Sequence, residues 1–109
     1  MSFMLFFTAM ADENNTHNVE AYDIHVNTEA LAKCLDASKD QAESIDNIMQ
    51  IFAAQMDNAK VEDNAVVRSK MLDNTVGMNI NYMKHVLTDE QYKKYLTVLN
   101  TTLKNRGLR

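Results

Sequence analysis

A chain of 109 residues with a net charge of −4 has room for one domain, and a domain of that size buries enough surface to fold without staples. It contains no proline, two glycines and a single cysteine, which rules out an internal disulfide and disfavours a turn-rich sheet protein. The acidic balance lacks the basic footprint that nucleic acid or an anionic membrane surface attracts, so the class expected is all-α and nucleic acid is not expected as a partner.

Met1 to Ala11 carry no charge and end in Ala9-Met10-Ala11, after which the chain turns polar at Asp12-Glu13-Asn14-Asn15. This is the pattern of an apolar leader with an A-x-A cleavage site, without the basic segment that normally precedes it. It implies export, and eleven residues are too few to cross a bilayer; the competing reading is an apolar strand or helix retained on the domain. Residues 12–27 are polar, include His17 and His25, and read as an extended arm. Within it, the alternation from Ala21 to Val26 suits a short strand laid against another chain.

Residues 28–109 read as a single helical domain. Asn27 or Thr28 caps a short leading helix that passes through Leu31, Cys34 and Leu35 and ends near Asp36. Cys34 has two readings: a small apolar residue on that helix, or an intermolecular bridge in an oxidising compartment. Ser38-Lys39-Asp40-Gln41 has the form of a capping box, in which the serine hydroxyl takes the amide three residues on and the glutamine reaches back. Behind it Ile45, Ile48, Met49, Phe52, Met56 and Ala59 recur at intervals of three and four and make one apolar stripe. A third helix is expected from about Glu62 to Val86, with Ala65, Leu72, Val76, Ile80 and Met83 inward. Its middle holds Asn74, Gly77, Asn79 and Asn81, poor helix formers that predict a kink or local opening. Thr88-Asp89-Glu90-Gln91 is a second capping box, followed by Tyr92, Tyr95, Leu96, Leu99, Thr102 and Leu103. Lys104, Arg106 and Arg109 complement the dipole at its end, and Gly107 stops it.

The architecture predicted is a helical-hairpin bundle of three long helices plus one short leading helix. Its core is expected around Ile45, Ile48, Met49, Phe52, Leu72, Val76, Ile80, Met83, Tyr95, Leu96, Leu99 and Leu103.

The chemistry-bearing residues are sparse. His17, His25 and His85 have no metal-ligand spacing, and Asp36, Asp40, Glu43, Asp89 and Glu90 read as caps and a solvated face. There is no phosphate-cradling loop and no G-x-S-x-G, so no catalytic, metal-binding or cofactor residue is assigned and an enzyme is not expected. Methionine is abundant, with Met49, Met56, Met71, Met78 and Met83 beyond the leader. At helical spacing these are core, or they line an adaptable groove for apolar partners. The candidate groove comprises Met49, Phe52, Met56, Met83, Tyr92 and Tyr95, with Tyr82 at its rim.

Shifting the chain by fifty residues lays Ser38 on Thr88, Gln41 on Gln91, Ile45 on Tyr95, Ile48 on Val98 and Met49 on Leu99. Leu87-Thr88-Asp89-Glu90-Gln91 fits the L-T-x-x-Q signature of the Spy and CpxP family of periplasmic proteins, and Ala37-Ser38-Lys39-Asp40-Gln41 resembles a degenerate copy. The likeness covers roughly residues 35–106. The stretch from Gln91 to Asn100 and the ending Asn105-Arg106-Gly107-Leu108 also resemble short exported proteins of Bacteroides-type gut bacteria. The family resemblance implies an all-helical hairpin, often a curved dimer, acting as an ATP-independent periplasmic chaperone or an envelope-stress factor. The expected function is therefore a small exported binding protein that holds unfolded or apolar protein segments. The alternative is a structural or signalling subunit that works by helix pairing with itself or with one partner.

Overall fold

The computed structural model describes residues 7–8 and 19–108. Its fold is all-α, with four helices: α1 (Thr28–Cys34), α2 (Lys39–Lys60), α3 (Ala65–Val86) and α4 (Asp89–Asn105). Two two-residue strands, β1 (Phe7–Thr8) and β2 (His25–Val26), pair antiparallel in the register Phe7 to Val26 and Thr8 to His25. The short strand anticipated against another chain thus meets this chain's own Phe7–Thr8. The remainder of the leader-like start, 1–6 and 9–11, lies outside the described residues, as does the arm over 12–18.

From Val19 onward the expected arm is corrected. Val19–Tyr22 is a short 3-10 helix, and Ala21, Tyr22 and Ile24 are buried with the helical core. The alternation that suggested a strand reflects three apolar side chains packing down onto the helices.

Each helix begins where a side chain can take its unbonded amides. Asn27 Oδ1 accepts from the Ala30 amide at 3.0 Å, and Ser38 and Thr88 open α2 and α4 in full capping boxes. Asn64 Oδ1 accepts from both Val66 and Val67 at 3.0 Å. The third helix therefore starts at Ala65 rather than at Glu62, whose carboxylate instead accepts from the Asn64 amide.

Two helices end in the same motif. After α1 the Ala37 amide bonds to the Ala32 carbonyl at 2.9 Å and Asp36 to Lys33 at 3.1 Å; after α4 Leu108 bonds to Leu103 at 2.9 Å and Gly107 to Lys104 at 3.0 Å. The residue at the crossover must be left-handed, and Asp36 (φ 54) and Gly107 (φ 75) are. Ala37 and Leu108, one position on, pack against the core.

Helix α3 runs through Gly77 without interruption, in place of the expected opening. Gly77 is exposed, and a Cβ added there meets nothing within 4 Å. Gly77→Ala should therefore stabilise the protein by about 0.5–1 kcal/mol. Asp36→Gly should add a similar amount by relieving a left-handed aspartate. Thermal melts of the single and double variants check both, and the two sites should add.

The core gathers Ile45, Ile48, Met49, Phe52, Met56 and Ala59 from α2, Leu72, Val76 and Met83 from α3, and Tyr95, Val98, Leu99 and Leu103 from α4. Leu31 and Leu35 of the leading segment join them. Ile80 and Leu96, expected in the core, are only partly buried. Val98 takes the inward place on α4, because the stripe there follows 95, 98, 99, 102 and 103.

Candidate functional site

The two capping boxes meet. Within each box the geometry is ordinary: the Ser38 and Thr88 amides each donate to the Oε1 of their own glutamine at 2.9 Å, and the Gln41 and Gln91 amides return to Ser38 Oγ and Thr88 Oγ1 at 3.1 and 3.2 Å. The two glutamine side chains then bond to each other. Gln41 Nε2 donates to Gln91 Oε1 at 2.8 Å, and Gln91 Nε2 donates to Gln41 Oε1 at 3.2 Å. The second proton of Gln41 Nε2 goes to the Val86 carbonyl at 3.1 Å, and that of Gln91 to the carbonyls of Leu35 and Asp36 at 3.1 and 3.3 Å. A primary amide has two donors and two acceptor sites, and here both amides use all four. Val86 and Asp36 are themselves fifty residues apart, as the glutamines are, so the arrangement has a local two-fold pattern that ties the start of α2 to the start of α4.

The candidate groove residues lie elsewhere and mostly inside. Met49, Phe52, Met56, Met83 and Tyr95 are at most 2% exposed, and Tyr92 is partly buried. The open Met/Tyr groove is thus corrected: α4 lies over the α2–α3 pair and consumes the stripe in packing. At its centre Tyr95 Oη donates to Asn79 Oδ1, Asn79 Nδ2 donates to Met49 Sδ at 3.4 Å, and Tyr95 Oη lies 3.6 Å from the same sulfur. This links α2, α3 and α4 through one buried polar cluster. Burial pushes the Tyr95 hydroxyl above the usual tyrosine range.

Arg106 is a further inward polar residue. Read from sequence as a dipole-complementing charge, it is buried, and its Nη1 donates to the Ala21 and Asp23 carbonyls at 3.1 and 3.2 Å. Burial lowers its pKa and the Asp23 charge opposes that shift; an arginine stays protonated regardless. It fastens the segment before α1 to the end of α4. Neither Asn79 nor Arg106 was singled out as a site residue, yet both sit in phase with their buried stripes, Asn79 with Leu72, Val76 and Met83, and Arg106 with Leu99, Thr102 and Leu103. A polar residue at an inward position was the available signal.

Part of the apolar surface that stays outside lies on the flank of the α2–α3 hairpin. Ser44, Asn47, Ile48 and Ile51 of α2 face Tyr82, His85 and Val86 of α3 around a shallow depression of about 320 Å³ bordered by these two helices alone. The same flank continues to Gln55, whose Nε2 reaches Met78 Sδ at 3.4 Å. Ile51, Met78 and Tyr82 are 44%, 39% and 37% exposed. None of these nine residues is Asp, Glu, Lys or Arg, in a chain where 24% of residues are. Compared with family models, curated proteins and solved structures, the chain matches none.

Among the described residues no three of His, Cys, Asp and Glu gather into a group that could hold a metal ion, and no helix is long and apolar enough to cross a membrane. His17 lies outside the described residues and His25 sits in β2. His85 Nδ1 is 2.8 Å from the Asn81 carbonyl, which places the proton on that nitrogen. Cys34 is a free thiol packed partly against the core, and its carbonyl accepts from Lys94 Nζ at 3.2 Å.

Proposed function

We propose that this chain is a small exported helical binding protein, without catalytic function, built as a hairpin-based bundle whose α2–α3 flank pairs with a second copy of itself. The observation that carries this reading is the uncharged flank around Ile51, Met78 and Tyr82. Two copies of an acidic chain repel, and on this face they can meet without bringing carboxylates together. Asn47, Gln55 and Ser44 supply neutral hydrogen-bonding groups beside the apolar centre, the composition of an interface that must remain soluble when open. Holding apolar client segments needs a concavity, and Met49, Phe52, Met56, Met83 and Tyr95, expected to line one, are already engaged in the core. Helix pairing is therefore favoured over client holding. Export rests on the uncharged start and Ala9-Met10-Ala11.

Sedimentation velocity across a wide concentration range tests the pairing. The expected result is a reversible dimer that Ile51→Lys with Tyr82→Lys weakens at least tenfold, since each side chain is exposed in the single chain and the lysines would be desolvated in the pair. Lysine reduces the net negative charge, so a loss of pairing would not come from greater overall repulsion. Unchanged helicity and melting would show the fold intact. A chain that stays monomeric at every concentration, or variants that pair as well as the parent, would overturn the proposal.

A further inference from the structure

The turn that joins α2 to α3, Val61 to Asn64, contains neither glycine nor proline. Val61 already lies in the right-handed helical region, at φ −89 and ψ −2. No residue type in the turn bars the α-helix from running on. What closes it is a small set of local bonds: the Asn64 cap on Val66 and Val67, the Glu62 carboxylate on the Asn64 amide, and Arg68 Nη1 on the Glu62 carbonyl at 2.7 Å. Beyond the turn, Val66 and Val67 are 65% and 42% exposed. In a helix continued from α2 they would stand seven and eight positions after the buried Ala59, in phase with its apolar stripe.

Several bonds that position the halves of the chain also run from the first half to the second. Gln41 binds Gln91 and Val86, Met49 binds Asn79 and Tyr95, and the Ala21 and Asp23 carbonyls bind Arg106. Each half presents one side of these contacts, so a second chain can supply the other side unchanged. The geometry points to an open form in which residues 39–86 make one helix of roughly 70 Å and two chains exchange their α3–α4 halves. The exchange reproduces the closed contacts and differs only at the turn. It is separate from pairing through the α2–α3 flank, because it does not require that flank.

Asn64→Ala tests it. The cap is needed only in the closed form, so its loss favours the exchanged dimer about fivefold per turn and roughly thirtyfold for the two turns of a dimer. Parent and variant are refolded from denaturant at high and at low concentration, then diluted and sized by light scattering. The expected result is a dimer formed only in the concentrated refolding, enriched in Asn64→Ala and lasting hours after dilution, because release requires the two halves to separate. Spin labels at Lys39 and Lys84, diluted into unlabelled chain, should then be more than roughly 60 Å apart within a chain. Two glycines inserted after Glu62 should suppress the dimer. The inference is overturned if both chains refold to monomer at every concentration, if the dimer dissociates at once on dilution, or if Ile51→Lys with Tyr82→Lys abolishes it. That last outcome assigns the dimer to the flank, whereas a slow dimer that survives those lysines stands even if flank pairing fails.

Discussion

Gln91→Glu should destabilise the protein by about 2–4 kcal/mol at neutral pH, a fall of roughly 10–25 °C in Tm for a domain of this size. In an isolated capping box glutamate serves as well as glutamine, because only the oxygen that accepts from the cap amide is used. Here the Nε2 group is used too: it donates to Gln41 Oε1 and to the Leu35 and Asp36 carbonyls. A carboxylate would set acceptor against acceptor at these contacts. The sign with pH follows. The folded-state pKa of the new glutamate would be raised above the unfolded value of about 4.3, so the loss should be largest at neutral pH and shrink as acid protonates the group and restores a donor. Gln41→Glu should behave alike through the Val86 carbonyl and Gln91, and the double variant should cost more than the sum at neutral pH, because each single variant keeps one amide-to-carboxylate bond whereas the pair sets two carboxylates against each other. Chemical denaturation at several pH values measures all three. A pH-independent loss below about 1 kcal/mol would mean that the two boxes act separately.

The contrast between the boxes and their pairing marks where sequence was legible. A capping box is written within four residues, so Ser38 with Gln41 and Thr88 with Gln91 could be read directly. That the two glutamines face each other depends on how α2, α4 and the end of α1 are placed, and no local spacing encodes it. The helical stripes were legible for the same reason, but a period of three and four says only that Met49, Phe52, Met56 and Met83 share a face. Whether that face is a groove or a core is decided by what covers it, and α4 covers it. Arg106 shows the reverse error. Its charge suggested solvent and the helix dipole, whereas its place on the inward stripe let the long side chain reach the backbone of residues 21 and 23. The segment before α1 was misread because its three inward side chains, Ala21, Tyr22 and Ile24, pack on helices that lie far along the chain. The outer flank was visible in part, since Met78 and Tyr82 were noted, but its freedom from charge appears only once α2 and α3 are laid side by side.

Asn79→Ala should cost about 2–4 kcal/mol, although asparagine is a poor helix former and alanine the best. At an exposed position of α3 the same change would stabilise the helix. At position 79 the side chain is 2% exposed, and its loss leaves the Tyr95 hydroxyl buried with only the Met49 sulfur, a weak acceptor, as well as a small void. Tyr95→Phe alone should cost about 1–3 kcal/mol by stranding the Asn79 carbonyl oxygen. Asn79→Leu combined with Tyr95→Phe should recover most of either loss, since removing both partners leaves no buried group unsatisfied. The alkaline limb gives an independent readout. Tyr95 has a folded pKa above its unfolded value of about 10, so its contribution is intact below pH 10 and is lost as pH rises, because the unfolded chain releases a proton that the folded one retains. The decline of stability above pH 10 should therefore be shallower in Tyr95→Phe than in the parent. If Asn79→Ala instead raised the melting temperature, the cluster would be a helix defect and not a bond between three helices. If the double substitution were as costly as the sum of its parts, the polar contact would have been secondary to packing.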